Sequence, residues 1–281
     1  REESLKRMAW QRETANDEKM EMRRLNFEPK RLTDADLKKL TADIKKCTSV
    51  IKKLRVFSDS QTASLIKDVK TLRLTKYISE AVPAICEPVL KVADLHGAAM
   101  VCSHLHQRYK AFTDPKEGLI PTLLKDFETG EKEVDPAKLR STLRFLAELY
   151  VIGVLHTLEP IMSLLKKLIA DDEKTREFAN LSLIREFAKV AGIDMLGITA
   201  RDQTIELIPL SAAAGEGDRE IISDADRKAL METLTSYHAR VSLRLVNQHK
   251  KMKSTEKRNY EQEMMRGDLS EDRRAEFNAL E

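Results

Sequence analysis

The chain has 281 residues, 42% hydrophobic, 34% charged and only 5% aromatic. It can bury a core without disulfides or metal, and it lacks the aromatic and β-branched content of sandwiches and barrels. Lys and Arg (49) nearly offset Asp and Glu (46), leaving +3, so there is no global nucleic-acid signature and any basic surface is local. Cys47, Cys86 and Cys102 sit among apolar neighbours and read as reduced core thiols. No apolar run reaches the roughly 18 residues of a membrane span, so no membrane partner is expected. The sequence starts without Met and stops in a helical pattern, as expected of a piece cut from a longer protein.

From Glu2 to Phe27 there is no Gly or Pro, both charge signs mix, and large apolar residues are few (Leu5, Met8, Trp10, Met20, Met22, Leu25). This predicts a long exposed helix, ended by Pro29. Thr33, Asp34 and Asp36 then supply a cap and an acidic first turn. Leu37, Leu40, Ile44, Cys47, Ile51 and Leu54 recur three and four apart, which predicts one regular helix with a heptad seam. The pairs Lys38-Lys39, Lys45-Lys46 and Lys52-Lys53 repeat in step with that seam. At 1.5 Å rise per residue they form a basic stripe with pairs roughly 10 Å apart.

Ser58 and Gln61 have capping-box spacing before a short helix. Thr75 opens another that turns Tyr77, Ile78, Ala81, Val82, Ile85 and Val89 inward, with a kink expected at Pro83. Val92 to Phe112 reads as an amphipathic helix with Val92, Leu95, Ala99, Cys102, His106 and Tyr109 on one stripe; Asp114-Pro115 and Gly118 break it. Asp135 before Pro136 is an N-cap with proline at the first helical position, and Leu143 to Leu155 is the most apolar run, hence the central buried helix. Further helices are expected at Glu159 to Ala170, at Lys174 to Ala191 with Gly192 as C-cap, and at Asp194 to Leu210. Ser211 to Asp218 reads as a loop. Ser223 and Asp226 start a long helix reaching about Met265, Gly267 punctuates it, and Ser270 caps a last one. Short connections between such helices give antiparallel hairpins stacked into an array.

No phosphate-cradling loop, dinucleotide fingerprint or nucleophile elbow is present, so neither an enzyme nor a cofactor is expected. Cys102, His104 and His106 are the most tempting metal ligands, but residues two apart on a helix point away from each other, and two ligands do not make a zinc site. A buried thiol beside a hydrogen-bonded core histidine is the expectation. Arg140, Arg144 and Glu148 lie four apart, the spacing of an ion pair along the edge of the core or of charges lining a partner groove. Two basic clusters are the candidate RNA or partner surface. Lys38, Lys39, Lys45, Lys46, Lys52, Lys53 and Arg55 stand against Asp34, Asp36 and Asp43, a local +4. Arg240, Arg244, Lys250, Lys251, Lys253, Lys257 and Arg258 stand against Glu256, a local +6. Either could follow a phosphate backbone, though the aromatics that stack unpaired bases are missing.

Five strings in succession, KKCTSVIKKL at 45–54, LTKYISEAV at 74–82, CSHLHQRY at 102–109, LRSTLRFLAELYVIG at 139–153 and LSEDR at 269–273, carry a family resemblance. Together they resemble the first middle-domain-of-initiation-factor-4G repeat of the nonsense-mediated mRNA decay adaptors of the up-frameshift-2 type. The resemblance implies an all-α, HEAT-like stack of about five antiparallel helical hairpins at 33–281, preceded by an extended N-terminal helix at 1–32. It implies a non-catalytic scaffold in a cytoplasmic protein, perinuclear or shuttling, that supports assembly of the decay-inducing complex. Such adaptors engage the up-frameshift helicase and an RNA-recognition-type partner elsewhere in the full-length protein. The alternative for this region is weak, sequence-independent RNA binding through the basic helices.

Overall fold

The computed structural model describes residues 17–128, 135–175, 178–196, 221–266 and 271–278. Regular structure among the described residues is helical, apart from an isolated parallel bridge between Thr41 and Leu72. The chain divides into two compact units, Arg1–Arg227 and Lys228–Glu281.

In the first unit, α1 (17–27) is followed by α2 (Asp34–Lys39), α3 (Ile44–Arg55), α4 (Thr62–Thr71), α5 (Ile78–Cys86) and α6 (Val92–Arg108). Then come α7 (Leu119–Glu128), α8 (Pro136–Val151), α9 (Glu159–Thr175) and α10 (Leu181–Asp194). Packing follows a two-layer rule. Helix α3 lies on α5 and α5 on α7, while α4 lies on α6, α6 on α8 and α8 on α10; α3 meets α4, and α7 and α9 both meet α8, across the layers. This is the all-α, HEAT-like stack of hairpins that the sequence predicts.

Helix α8 is central: from 137 to 151 no residue is exposed, and even its polar side chains lie against neighbouring helices. Leu143, Phe145, Leu146, Ala147, Leu149, Tyr150 and Val151 are all buried, each large side chain contributing about 1.5–3 kcal/mol of transfer free energy. Its start is set as predicted: Asp135 accepts a hydrogen bond from the Ala137 N–H, and Pro136 opens the helix. From its first turns Lys138 donates to the carbonyls of Cys86 and Pro88, and Ser141 Oγ donates to Leu90 O at 3.0 Å. The end of α5 and the connection to α6 are thereby tied to α8.

The single helix expected from Thr33 to Arg55 is two. Asp43 caps α3 by accepting from the Lys46 N–H at 3.1 Å. Thr41 N–H donates to Thr71 O, and Arg73 N–H to Thr41 O, fixing the break against the end of α4. Ile44, placed by its spacing in the seam, is 72% exposed, whereas Cys47, Val50, Ile51 and Leu54 are buried. Val89 and Val92 are also expected inward but are exposed, Val89 in the turn between α5 and α6 and Val92 at the first position of α6.

Three further differences have local causes. Ser58 bonds Ser60 and gives no side-chain cap; a 3-10 turn at Asp59–Gln61 leads into α4 instead. Pro83 itself lies inside α5, as its place in the pattern implies, and the helix runs on to Cys86. Helix α7, unread in the sequence, starts just after Gly118. Gly192 lies inside α10 and is not its cap, and Lys174 belongs to α9. The expected helix at Asp194 to Leu210 lies outside the described residues beyond Leu196, as does the loop at Ser211 to Asp218.

Helix α11 (Asp224–Arg266) starts on a reciprocal cap in which Asp226 N–H donates to Ser223 Oγ and Ser223 Oγ donates to the Asp226 carboxylate. Helix α12 (Glu271–Asn278) follows; Gly267 and Ser270 lie outside the described residues.

Candidate partner surface

The expected lysine stripe is interrupted. Lys38 and Lys39 stand on α2, with Lys39 paired to Asp36 at 2.8 Å, while Lys45, Lys46 and Lys52 are exposed on α3. Lys53 is half-buried and donates to Ser64 and Asp68 of α4, so it serves hairpin packing. The break at 40–43 destroys the common register on which an evenly spaced stripe depends. The second cluster stays together, because Arg240, Arg244, Lys250, Lys251, Lys253, Lys257 and Arg258 all lie exposed on α11. Lys253 pairs with Glu256 at 2.8 Å and Lys257 with Glu261 at 3.9 Å. The two clusters belong to different compact units.

The residues weighed as metal ligands do structural work. His106 is buried, with Nε2 3.0 Å from Asn26 O and Nδ1 2.8 Å from Thr113 Oγ1. A carbonyl can only accept, so Nε2 carries the proton and Nδ1 accepts from the threonine hydroxyl. Burial lowers the His106 pKa, and burial with Lys70 and Arg108 nearby pushes His104 down to about 4. Burial raises all three thiols, Cys86 to about 12 and Cys102 well above its ordinary value. They are therefore protonated and unreactive near neutrality.

Asn26 is the centre of this region. It is fully buried; its Nδ2 donates to Ile152 O at 2.7 Å, and its Oδ1 accepts from Ser103 Oγ and Gln107 Nε2, both at 2.9 Å. Helix α8 ends in a Schellman turn, with Gly153 N–H on Tyr150 O and Val154 N–H on Leu149 O. Its last carbonyls, at Tyr150 and Val151, also receive the Arg23 guanidinium. A cation there suits the negative end of the helix dipole, and the guanidinium also stacks on Tyr150 and Phe27. The described part of the helix expected from Glu2 to Phe27, residues 17–27, is thus the C-terminal cap of α8 and not an exposed helix; residues 2–16 lie outside the described residues.

Both histidines are held neutral, which fixes a pH dependence. A histidine whose folded pKa lies below its unfolded value of about 6.5 contributes stability that is present above that pH and lost as pH falls through the folded value. The urea midpoint is expected to drop between pH 6.5 and about 4, and His104→Gln should flatten part of that fall. Glu186, pushed down to about 2 by Lys189, Arg185 and Arg144, adds its own loss only at more acidic pH. A midpoint flat from pH 7 to 4 would contradict the assignment.

Glu186 also corrects the ion pair expected within α8. Arg144 pairs across to Glu186 of α10, not to Glu148 four residues on, and Arg140 has no ion pair among the described residues. Glu148 is half-buried, its carboxyl raised by burial, with Oε2 unpartnered. Its carboxyl also feels Lys19 of α1 and Asp194 of α10, which pair with each other at 2.8 Å. The Arg144–Glu186 pair thus ties α8 to α10 at the edge of the core.

A concave feature among the described residues lies between α7 and α9. Two adjoining depressions of about 660 Å³ and 340 Å³ share Leu124, Glu128 and Pro160. The larger is walled by Ile120 and Pro121 of α7 and by Val154 and His156 after α8. His156 stacks on Phe27 at 4.8 Å and meets His106 edge-on at 5.6 Å. The groove was not legible because one of its walls is the helix the sequence reading missed.

A helical stack with its charges used for packing is the architecture that the sequence strings had suggested, and the family model of the MIF4G domain matches residues 37–254. The chain belongs to the MIF4G domain family. It is similar to regulator of nonsense transcripts UPF2 of Arabidopsis thaliana, 32% identical over 93% of this chain and 22% of that protein. Regulator of nonsense transcripts 2 of Mus musculus is 33% identical over 80% of this chain and 18% of that protein. The chain therefore spans about a fifth of the length of these relatives. The crystal structure of the first MIF4G domain of human nonsense-mediated decay factor UPF2 superposes with a TM-score of 0.77 at 30% identity, covering 99% of this chain and 90% of that one. The resemblance to the first domain of up-frameshift-2-type adaptors thus holds.

Proposed function

We propose that this MIF4G domain is a non-catalytic scaffold in nonsense-mediated mRNA decay, supporting assembly of the decay-inducing complex in the cytoplasm. The observation that carries the reading is the likeness, over nearly the whole of both chains, to the first MIF4G domain of human UPF2. The physical support is a stack whose hairpins are tied by buried hydrogen bonds and ion pairs between helices, the stiffness a platform needs. Helicase and RNA-recognition-type partners engage other parts of the full-length protein, and this domain supplies spacing and protein contacts. Weak RNA binding through both clusters has less support, since one cluster is broken in register and the other lies in a separate unit.

The test is a domain exchange in human cells depleted of UPF2. Human UPF2 carrying this chain in place of its first MIF4G domain is expected to restore decay of a premature-stop reporter, and a version lacking the domain is not. A chimaera expressed at the normal level that leaves the reporter stable would overturn the proposal. So would ATP or GTP hydrolysis by the purified chain.

A further inference from the structure

Helix α11 contains no Asp or Glu from Thr233 to Thr255, while Arg240, Arg244, Lys250, Lys251 and Lys253 fall within that run. Inside it, residues 243–251 are all exposed, about two and a half turns of helix. A solvated helix exposed on every side is ordinarily polar on every side. This one presents Leu243, Leu245 and Val246 at 62%, 68% and 49% exposure. Single exposed apolar residues need no explanation, but three within four positions, in a segment without a buried face, do.

Their arrangement is directional. At about 100° per residue, Val246, Lys250, Leu243, Asn247, Lys251 and Arg244 fall in that order across roughly 160° of the helix surface. Two apolar anchors thus lie beside three cations on one side of the helix. Arg244, Lys250 and Lys251 have no ion pair among the described residues. Charge complementarity demands an acidic occupant. A phosphate backbone would satisfy the cations but would leave Leu243 and Val246 without a partner; 243–251 holds no Phe, Tyr or Trp to stack a base, and its one imidazole, His249, falls outside this arc. An amphipathic protein helix with carboxylates edging an apolar stripe satisfies both halves of the face.

We propose that residues 243–251 form a docking face for an acidic amphipathic helical segment of a partner protein. Leu243 and Val246 take its apolar anchors, and Arg244, Lys250 and Lys251 pair with its carboxylates. The inference rests on the scaffold reading and names the chemistry of one partner. An occupant of this kind also stabilises a stretch of helix that has little tertiary packing of its own.

The test is fluorescence anisotropy with the full chain and three probes: a 20-residue peptide with leucines spaced three and four apart among glutamates, a scramble of it, and a 20-nucleotide oligouridine. The amphipathic peptide is expected to bind at least tenfold more tightly than the scramble. Leu243→Ser with Val246→Ser, and separately Lys250→Glu with Lys251→Glu, are each expected to weaken it at least tenfold. Because these side chains are exposed, helicity by circular dichroism and the melting midpoint should be unchanged, which separates lost docking from lost folding. Equal binding of peptide and scramble overturns the proposal, as does indifference to the serine variants. Tighter oligouridine binding that responds only to the charge reversals would make the face a nucleic-acid surface. A concentration-dependent dimer abolished by the serine variants would make its occupant a second copy. Restored decay in the domain exchange with no peptide binding would overturn this inference and leave the scaffold reading standing.

Discussion

Replacing Gly153 with valine is expected to lower the unfolding free energy by about 3 kcal/mol or more, read from the urea midpoint at pH 7. Two independent costs add. Gly153 holds φ at +78°, a left-handed backbone that costs a residue with a Cβ about 1–2 kcal/mol, with β-branched side chains faring worst. A Cβ there would also stand 2.9 Å from Arg23 Cγ and 3.1 Å from both the Arg23 Cα and its carbonyl oxygen. Two of those atoms are backbone, so relief requires α1 to lift off the end of α8, an overpacking cost of about 1–3 kcal/mol. Gly192 is the internal control, since it lies within α10 and a Cβ there meets nothing within 4 Å. Gly192→Ala should stabilise by roughly 0.5–1 kcal/mol through backbone entropy alone. If Gly153→Ala and Gly192→Ala shifted the midpoint in the same direction, the capping role of α1 would be wrong.

That contrast marks what the sequence could reveal. The array was legible because burial of one helix face imposes spacings of three and four, and strings such as Leu143 to Leu155 have little alternative to a core position. Caps made by a neighbour in sequence were legible too, as at Asp135 and Ser223. What was lost depends on partners far along the chain. The seam from Leu37 to Leu54 keeps its spacing straight through the break, because the break is fixed by Thr41 pairing with residues 71 and 73. Arg144 had a carboxylate at the favoured spacing in Glu148 and took Glu186 of another helix instead. Helix α7 was hidden by its shortness and by Pro121 in its first turn, and with it went one wall of the groove. Both basic clusters were found, but which one keeps its register follows from helix breaks that charge counting does not see.

Asn26 shows the same limit most sharply, since nothing in a mixed-charge helix signals that one amide will be fully buried. Asn26→Ala is expected to cost about 3–5 kcal/mol in urea unfolding, far beyond the change in side-chain volume. The alanine leaves Ile152 O without its donor, and Ser103 Oγ and Gln107 Nε2 without their common acceptor. Each buried polar group stranded in this way costs about 1–3 kcal/mol. Gln107 is only half-buried and can recover part of its share through its bond to Ser103 at 3.1 Å. A double-mutant cycle with Ser103→Ala separates the network from the cavity. Once Asn26 is alanine, removing the serine hydroxyl removes a stranded group, so the double variant should be less destabilised than the sum of the singles by about 1 kcal/mol. Strict additivity would mean that the two side chains act separately and that Asn26 does not organise the joint between α1, α6 and α8. Hydrogen exchange supplies the spatial half of the test: in Asn26→Ala, amides of 17–27 and the last turn of α8 should lose protection together, while α3 to α5 keep theirs.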